Sequence, residues 1–186
     1  GEPLAIFPDG VVQRMRVGAT AGLAAKHLAR QDAKVVGLFG SGWQAGSHAM
    51  AMAAVRELEL IKVYSPTEAN RRRFAAEMTE TLGIEVRAVD TPEEAAEADI
   101  IVCATNALDV VYRGAWLRPG VHVTCVRPHE LEGDVYRRSD LVFINYREGK
   151  PKHYVIGDKR EEEIPEIREG WNSPTLGGID LENKPE

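Results

Sequence analysis

Six consecutive residues carry the clearest chemical signal in this 186-residue chain: Gly40-Ser41-Gly42-Trp43-Gln44-Ala45. They end a short apolar run, residues 34–40 (KVVGLFG), and open an Ala- and Met-rich stretch without proline, residues 43–58. In such a strand-turn-helix context the spacing Gly-x-Gly-x-x-(Gly/Ala) has a mechanism. The first glycine permits the tight turn, the second lets a pyrophosphate approach the backbone, and the small third residue lets helix and strand pack closely. The free amides and dipole of the helix start then face the phosphates. The pattern points to dinucleotide binding. Two other readings stay open at this level: a βα turn that closes tightly and holds no nucleotide, and the Gly-rich first turn of a methyltransferase.

The residue that selects the dinucleotide lies at the end of the second strand, where an acid would accept from a ribose 2′-hydroxyl. Ser65 stands there, followed by Thr67, Glu68, Asn70 and Arg71. Hydroxyls, an amide and a guanidinium suit a 2′-phosphate better than a bare ribose. NADP(H) is therefore preferred over NAD(H), with Glu68 keeping NAD(H) open. Arg72 and Arg73 read as a solvated helix face.

The elements that must hold this turn alternate along the chain. Strand-like runs fall at residues 34–40, 61–65 (IKVYS), 84–89, 99–104 (DIIVCA), 122–126 (HVTCV) and 141–145 (LVFIN). Between them come the helix at 43–58 and a second carrying Phe74, Met78 and Leu82 on one face. A short helix is predicted from Thr91-Pro92-Glu93-Glu94, a capping box with proline at the first helical position. A weak helix spans 131–138. Strand and helix in alternation mean crossover units. The expected fold is α/β, a Rossmann-type doubly wound, mostly parallel six-stranded sheet with helices on both faces. Residues 33–146 form the dinucleotide-binding domain. Residues 1–32 read as a hairpin (4–7 and 11–15 about Pro8-Asp9-Gly10) and a helix from about 20 to 30. Residues 147–186 read as a polar extension.

Composition limits the partners. Lys plus Arg is 23 against 29 Asp plus Glu, a net charge of −6, the wrong sign for a nucleic-acid-binding face. At 44% hydrophobic the chain has material for a core. No apolar run approaches the roughly 20 residues that span a bilayer, and no signal peptide is visible. Cys103 and Cys125 cannot form a disulfide framework and read as core residues. No metal-ligand spacing or hydrolase constellation stands out. A cytoplasmic domain is expected. His27 and His48 read as structural or solvent-facing, Trp116 and Leu117 as a packing plug, and the acidic run 161–163 as solvated surface.

Residues 16–30 (RVGATAGLAAKHLAR) and the following VVGLFGSGWQAGSHAMA resemble the ornithine cyclodeaminase/mu-crystallin family. So do residues 100–106 (IIVCATN), 114–123 (GAWLRPGVHV) and Pro174-Thr175-Leu176-Gly177. The resemblance implies NAD or NADP as cofactor and chemistry at the carbon–nitrogen bond of a small amino or imino acid. It implies an oxidoreductase, either a ketimine reductase or an amino-acid dehydrogenase. An ornithine cyclodeaminase-type ammonia lyase and a non-catalytic NADP(H)-binding module are the alternatives.

By the same resemblance, Arg16 grips the substrate carboxylate, a task suited to a bidentate guanidinium. Without it, Arg16 reads as a surface residue ending a hairpin strand. Trp43 and Gln44 fall in the phosphate turn, Thr105 and Asn106 lie along the cofactor, and Val126 lies near the nicotinamide. The chain departs from the family after the fifth strand. Residues 126–132 (VRPHELE) are short and lack the cyclodeaminases' aspartate, which favours simple hydride transfer. Glu130 corresponds to a family glutamate. His129 is either a replacement proton donor or a solvated loop residue. Family members begin with a further region that supplies substrate contacts and a dimer interface. The chain is thus expected to be a fragment, a shortened paralogue or an excised domain, and its full-length form a homodimer.

Overall fold

A computed structural model describes residues 5–6 and 10–143. The chain forms two compact units, Gly1–Glu132 and Gly133–Glu186. The first contains α1 (Val11–Leu28), β1 (Val35–Phe39), α2 (Trp43–Val55), β2 (Leu60–Tyr64), α3 (Glu68–Leu82), β3 (Glu85–Ala88), α4 (Pro92–Ala96), β4 (Ile100–Cys103) and β5 (His122–Cys125). All strand pairings are parallel, in the order β3-β2-β1-β4-β5.

The register explains why β1 and β4 are apolar throughout. Val36 lies beside Ile61 and Ile100, and Leu38 beside Val63 and Val102. These six side chains join Ala45, Met52, Phe74 and Met78 from the helices in one buried cluster. Alternation sends Gly37, Phe39, Ile101 and Cys103 to the other face. There the absent side chain of Gly37 admits α4, since a Cβ would stand 2.0 Å from the Ala95 carbonyl oxygen. Buried on both faces, β1 and β4 read as continuous hydrophobic runs, whereas β2 and β3 alternate and β5 is half-buried. At the start of α4 the Thr91 hydroxyl accepts from the Glu94 amide at 3.3 Å, with Pro92 at the first turn, as the capping pattern predicts.

Two expectations are corrected. The sheet has five strands among the described residues, not six. Residues 141–143 have no strand structure, and 144–145 lie outside the described residues, as do the 147–186 extension, the acidic run and Pro174-Thr175-Leu176-Gly177. Nor is there a hairpin strand at 11–15, because those residues are the first turns of the 18-residue helix α1. Arg16 therefore sits on a helix. The cause is tertiary. Gly18, Ala21, Gly22 and Ala25 are buried at helical spacing, and α1 lies so close to α2 that a Cβ on Gly18 would meet the Ser47 carbonyl oxygen at 2.6 Å. That contact outweighs the Pro-Asp-Gly turn signal.

Arg56 anchors the far end of α1. Its Nη2 donates to the carbonyls of Ala25 and Ala29, each at 2.7 Å, and its Nε to Arg30 at 2.9 Å. The Ala25 and Arg30 carbonyls also accept from the Ala29 and Ala33 amides, so Arg56 adds a second donor there and supplies the Ala29 carbonyl past the end of the helix. Arg56→Met is expected to destabilise the fold by about 3 kcal/mol, because buried acceptors lose their donors. Urea unfolding checks this, and a loss under about 1 kcal/mol would refute the anchoring role. Burial pushes the pKa of His122 down to about 4, and the Arg56 charge adds to the effect. The weak helix predicted over 131–138 is shorter: α5 (Gly133–Arg138), in the second unit, with an Asp134–Arg137 ion pair.

Candidate functional site

In the strand order, β1 is central. The chain runs outward to β2 and β3, then returns to place β4 on the other side of β1. Open α/β sheets bind ligands in the crevice that this reversal opens beyond the strands' carboxyl ends. The glycine turn lies at that point.

Gly40 has φ +112, and a Cβ there would stand 2.3 Å from the Ala104 carbonyl oxygen. Its amide donates to the Tyr64 carbonyl at 2.8 Å, so the turn is tied to β2 as well. Ser41 and Ser65 share a hydroxyl–hydroxyl hydrogen bond of 2.8 Å. Gly42 is the N-cap of α2, with extended backbone and nothing within 4 Å of a Cβ. The first bond of α2 runs from the Gly46 amide to the Gly42 carbonyl at 3.3 Å. The amides of Trp43, Gln44 and Ala45 precede it and have no partner within the helix. Trp43 is 52% exposed, with the Arg14 guanidinium 5.5 Å from its ring centroid.

Beyond β2, Ser65 is buried, Thr67 caps α3 without a side-chain bond, and Asn70 lies in the first turn of α3. Arg71 is buried. It donates to the Ser65 carbonyl at 3.3 Å and pairs with Asp90 at 2.7 Å. Arg72 and Arg73 are exposed and pair with Glu68 and Glu77.

Beyond β4 and β5 the organiser is Glu130, which is fully buried. Its Oε1 accepts from the Thr105 amide at 2.7 Å and the Thr105 hydroxyl at 2.6 Å. Oε2 accepts from the Val126 amide at 3.1 Å and the Arg127 amide at 2.9 Å. Asn106 is exposed at the crest of the turn after β4. His129 places Nε2 3.0 Å from the Ala107 carbonyl, so this loop histidine is tethered. Burial, opposed by the Gln44 carbonyl and the Glu130 carboxylate, lowers the pKa of His48. Cys103 and Cys125 are free thiols paired in register, and burial pushes the Cys103 thiol well up. Trp116 stacks on Phe39 with centroids 6.2 Å apart, the packing role expected of it.

The structure thus gathers Gly40, Ser41 and Ser65 on one side of the switch point, and Thr105 and Val126 on the other. Arg16 is not drawn into contact with either group. It is exposed on α1, between Arg14 and Gly18, which both reach α2. Sequence reasoning missed the bracing by Glu130 and the roles of Arg14 and Arg56. For Glu130 a local signal existed, since Arg127-Pro128-His129-Glu130 forms a capping box of the kind read at Thr91-Pro92-Glu93-Glu94. Its Thr105 partner, like those of Arg14 and Arg56, comes from a distant segment.

A parallel sheet with a glycine turn at its switch point defines a Rossmann-type doubly wound α/β domain. The family model described as Ornithine cyclodeaminase/mu-crystallin family matches residues 1–167, and the chain belongs to that family. It is 38% identical over 176 residues to a Delta(1)-pyrroline-2-carboxylate reductase of Bacillus cereus, covering 91% of this chain and 52% of the relative. It is 30% identical over 181 residues to an ornithine cyclodeaminase of Brucella suis, covering 92% and 49%. Among solved structures, Delta(1)-pyrroline-2-carboxylate reductase of Thermococcus litoralis, in complex with NADH and L-proline, superposes with a TM-score of 0.73. There the identity is 38%, over 77% of this chain and 46% of that one. The chain spans about half the length of the curated relatives it matches.

Proposed function

We propose that the chain is the cofactor-binding part of a nicotinamide-dependent oxidoreductase acting on the carbon–nitrogen bond of a small amino or imino acid. The observation that carries this reading is the open glycine turn at the switch point, in a chain of this family. The residues fit a dinucleotide. The empty space above Gly42 admits a pyrophosphate, and the leading amides of α2 supply donors for it. Thr105, Asn106 and Val126 border the crevice on the side away from β2, where the nicotinamide half extends. When bound, a reduced nicotinamide supplies the hydride that such a reaction delivers to the imine carbon. Arg16, exposed and with no ion pair among the described residues, is assigned to the substrate carboxylate. The similarity to pyrroline-2-carboxylate reductases favours reduction of a cyclic imine carboxylate. The missing aspartate in residues 126–132 disfavours cyclodeamination. A cytoplasmic, homodimeric enzyme is part of the same reading.

The preference for NADP(H) belongs here too. Ser41, Ser65, Thr67 and Asn70 offer hydroxyl and amide groups where an acid would select NAD(H), and Arg71 lies beneath them. A 2′-phosphate would draw Arg71 from Asp90, exchanging one anion for another. The net gain then comes from hydroxyl and amide donors meeting a charged phosphate, and one such bond corresponds to roughly tenfold tighter binding of NADPH than of NADH. Titration of the chain with each, followed by Trp43 fluorescence, tests both halves of the proposal. Tighter NADH binding overturns the NADP(H) preference alone, whereas binding of neither overturns the oxidoreductase reading. In the full-length protein, NADPH consumption with a cyclic imine carboxylate is the expected activity. Conversion of ornithine without net NADPH consumption would identify the lyase instead.

A further inference from the structure

We propose that Glu130 is the positioning residue for the nicotinamide half of the site, an inference that rests on the cofactor reading above. Its carboxylate receives four donors, two on each oxygen, from the turn after β4 and the turn after β5. A carboxylate has about four lone-pair sites, so these bonds saturate it. No oxygen is left to exchange a proton with a substrate, and the group is fully buried. Its work is to hold two turns at a fixed separation.

The rest of the residue extends this hold. The Glu130 carbonyl accepts from the amides of Val111 and Tyr112 at 2.9 and 3.0 Å. The Thr105 hydroxyl, donating to Glu130, also accepts from the Ala107 amide at 3.2 Å. Three segments therefore converge on one residue: the end of β4, the loop through residues 107–112 and the end of β5. They border the crevice opposite the end of β2, where the adenosine ribose is read in such folds. Glu130 thus shapes the wall for the reacting ring and leaves the adenosine end untouched.

Only an ionised carboxylate meets this donor set. A glutamine would turn its NH2 toward either the Val126 and Arg127 amides or the Thr105 amide, and donors would face donors. The charge-assisted bonds would be lost on that side. A misplacement of about 1 Å at a reacting group lowers turnover by roughly 100-fold.

The test compares wild type with Glu130→Gln, Thr105→Val and Thr105→Ser in the full-length protein. Affinity is measured for ADP-ribose, which lacks the nicotinamide. NADH or NADPH binding is followed by nicotinamide emission, and kcat is measured with a cyclic imine carboxylate. For Glu130→Gln the ADP-ribose Kd is expected within about twofold of wild type, with nicotinamide emission altered and kcat down roughly 100-fold. Thr105→Val, which keeps the fold should Glu130→Gln lose it, is expected to lower kcat about tenfold. Thr105→Ser retains the hydroxyl and is expected to recover most of the kcat that Thr105→Val loses, the rescue that a loss of bulk alone would not give. The inference is overturned if kcat stays within about threefold in both Glu130→Gln and Thr105→Val. A parallel fall in ADP-ribose affinity also overturns it, since that is the mark of general structural support. If wild type binds neither ADP-ribose nor reduced cofactor, the cofactor reading itself fails.

Discussion

Gly40→Ala is expected to destabilise the domain by about 4 kcal/mol and to abolish cofactor binding along with the fold. Two independent penalties meet at this position. Its φ of +112 is a conformation that residues with a Cβ rarely adopt, at a cost of about 1–3 kcal/mol. The added Cβ would also stand 2.3 Å from the carbonyl oxygen of Ala104 and 3.0 Å from its carbon. These are backbone atoms at the end of a central strand. The strand cannot swing aside as a flexible side chain would, and overpacking a close-packed interior costs about 1–3 kcal/mol more. Urea unfolding of the variant, or its yield as folded protein, measures the effect. A variant within about 1 kcal/mol of wild type would falsify the close approach of β1 and β4 at this turn.

Gly42→Val should do the opposite. Here φ is −95 and ψ −171, extended backbone that valine adopts without strain, and nothing lies within 4 Å of the new Cβ. The fold should lose under about 1 kcal/mol, the usual penalty for a poorer helix cap. Cofactor affinity should fall at least about 100-fold. The isopropyl group occupies the space a pyrophosphate needs, and the leading amides of α2 lose their ligand. Calorimetry and a titration with NADPH or NADH on the same preparation separate the two effects. Unimpaired binding would show that no pyrophosphate crosses Gly42 and would remove the main structural support for the cofactor reading. Together the two results would divide the turn, across Ser41, into a part that serves folding and a part that serves the ligand.

Much of this division was legible in the residues. Short apolar runs alternating with helical spacing forced a parallel sheet, because only strands buried on both faces read that way. Thr91-Pro92-Glu93-Glu94 located a helix start to the residue, since capping depends on neighbours within one turn. The glycine spacing placed the turn, and the family resemblance ranked its chemistry. The first helix was misread because residues 11–15 carry little local preference. Its stripe of Gly18, Ala21, Gly22 and Ala25 makes sense only against α2.

The sequence by itself determined the class of fold and the place of the glycine turn, because both follow from periodicity and glycine spacing along the chain. Tertiary structure decided where the charges go. Arg71 looks like a free cation in its segment, yet Asp90, arriving from the end of β3, holds it. Arg56 is one more basic residue until the carbonyls of α1 close around it. Glu130, in a polar loop, ends fully buried with four donors on its carboxylate. A charge can be buried only where partners converge from several segments, and that convergence exists only once the chain is folded.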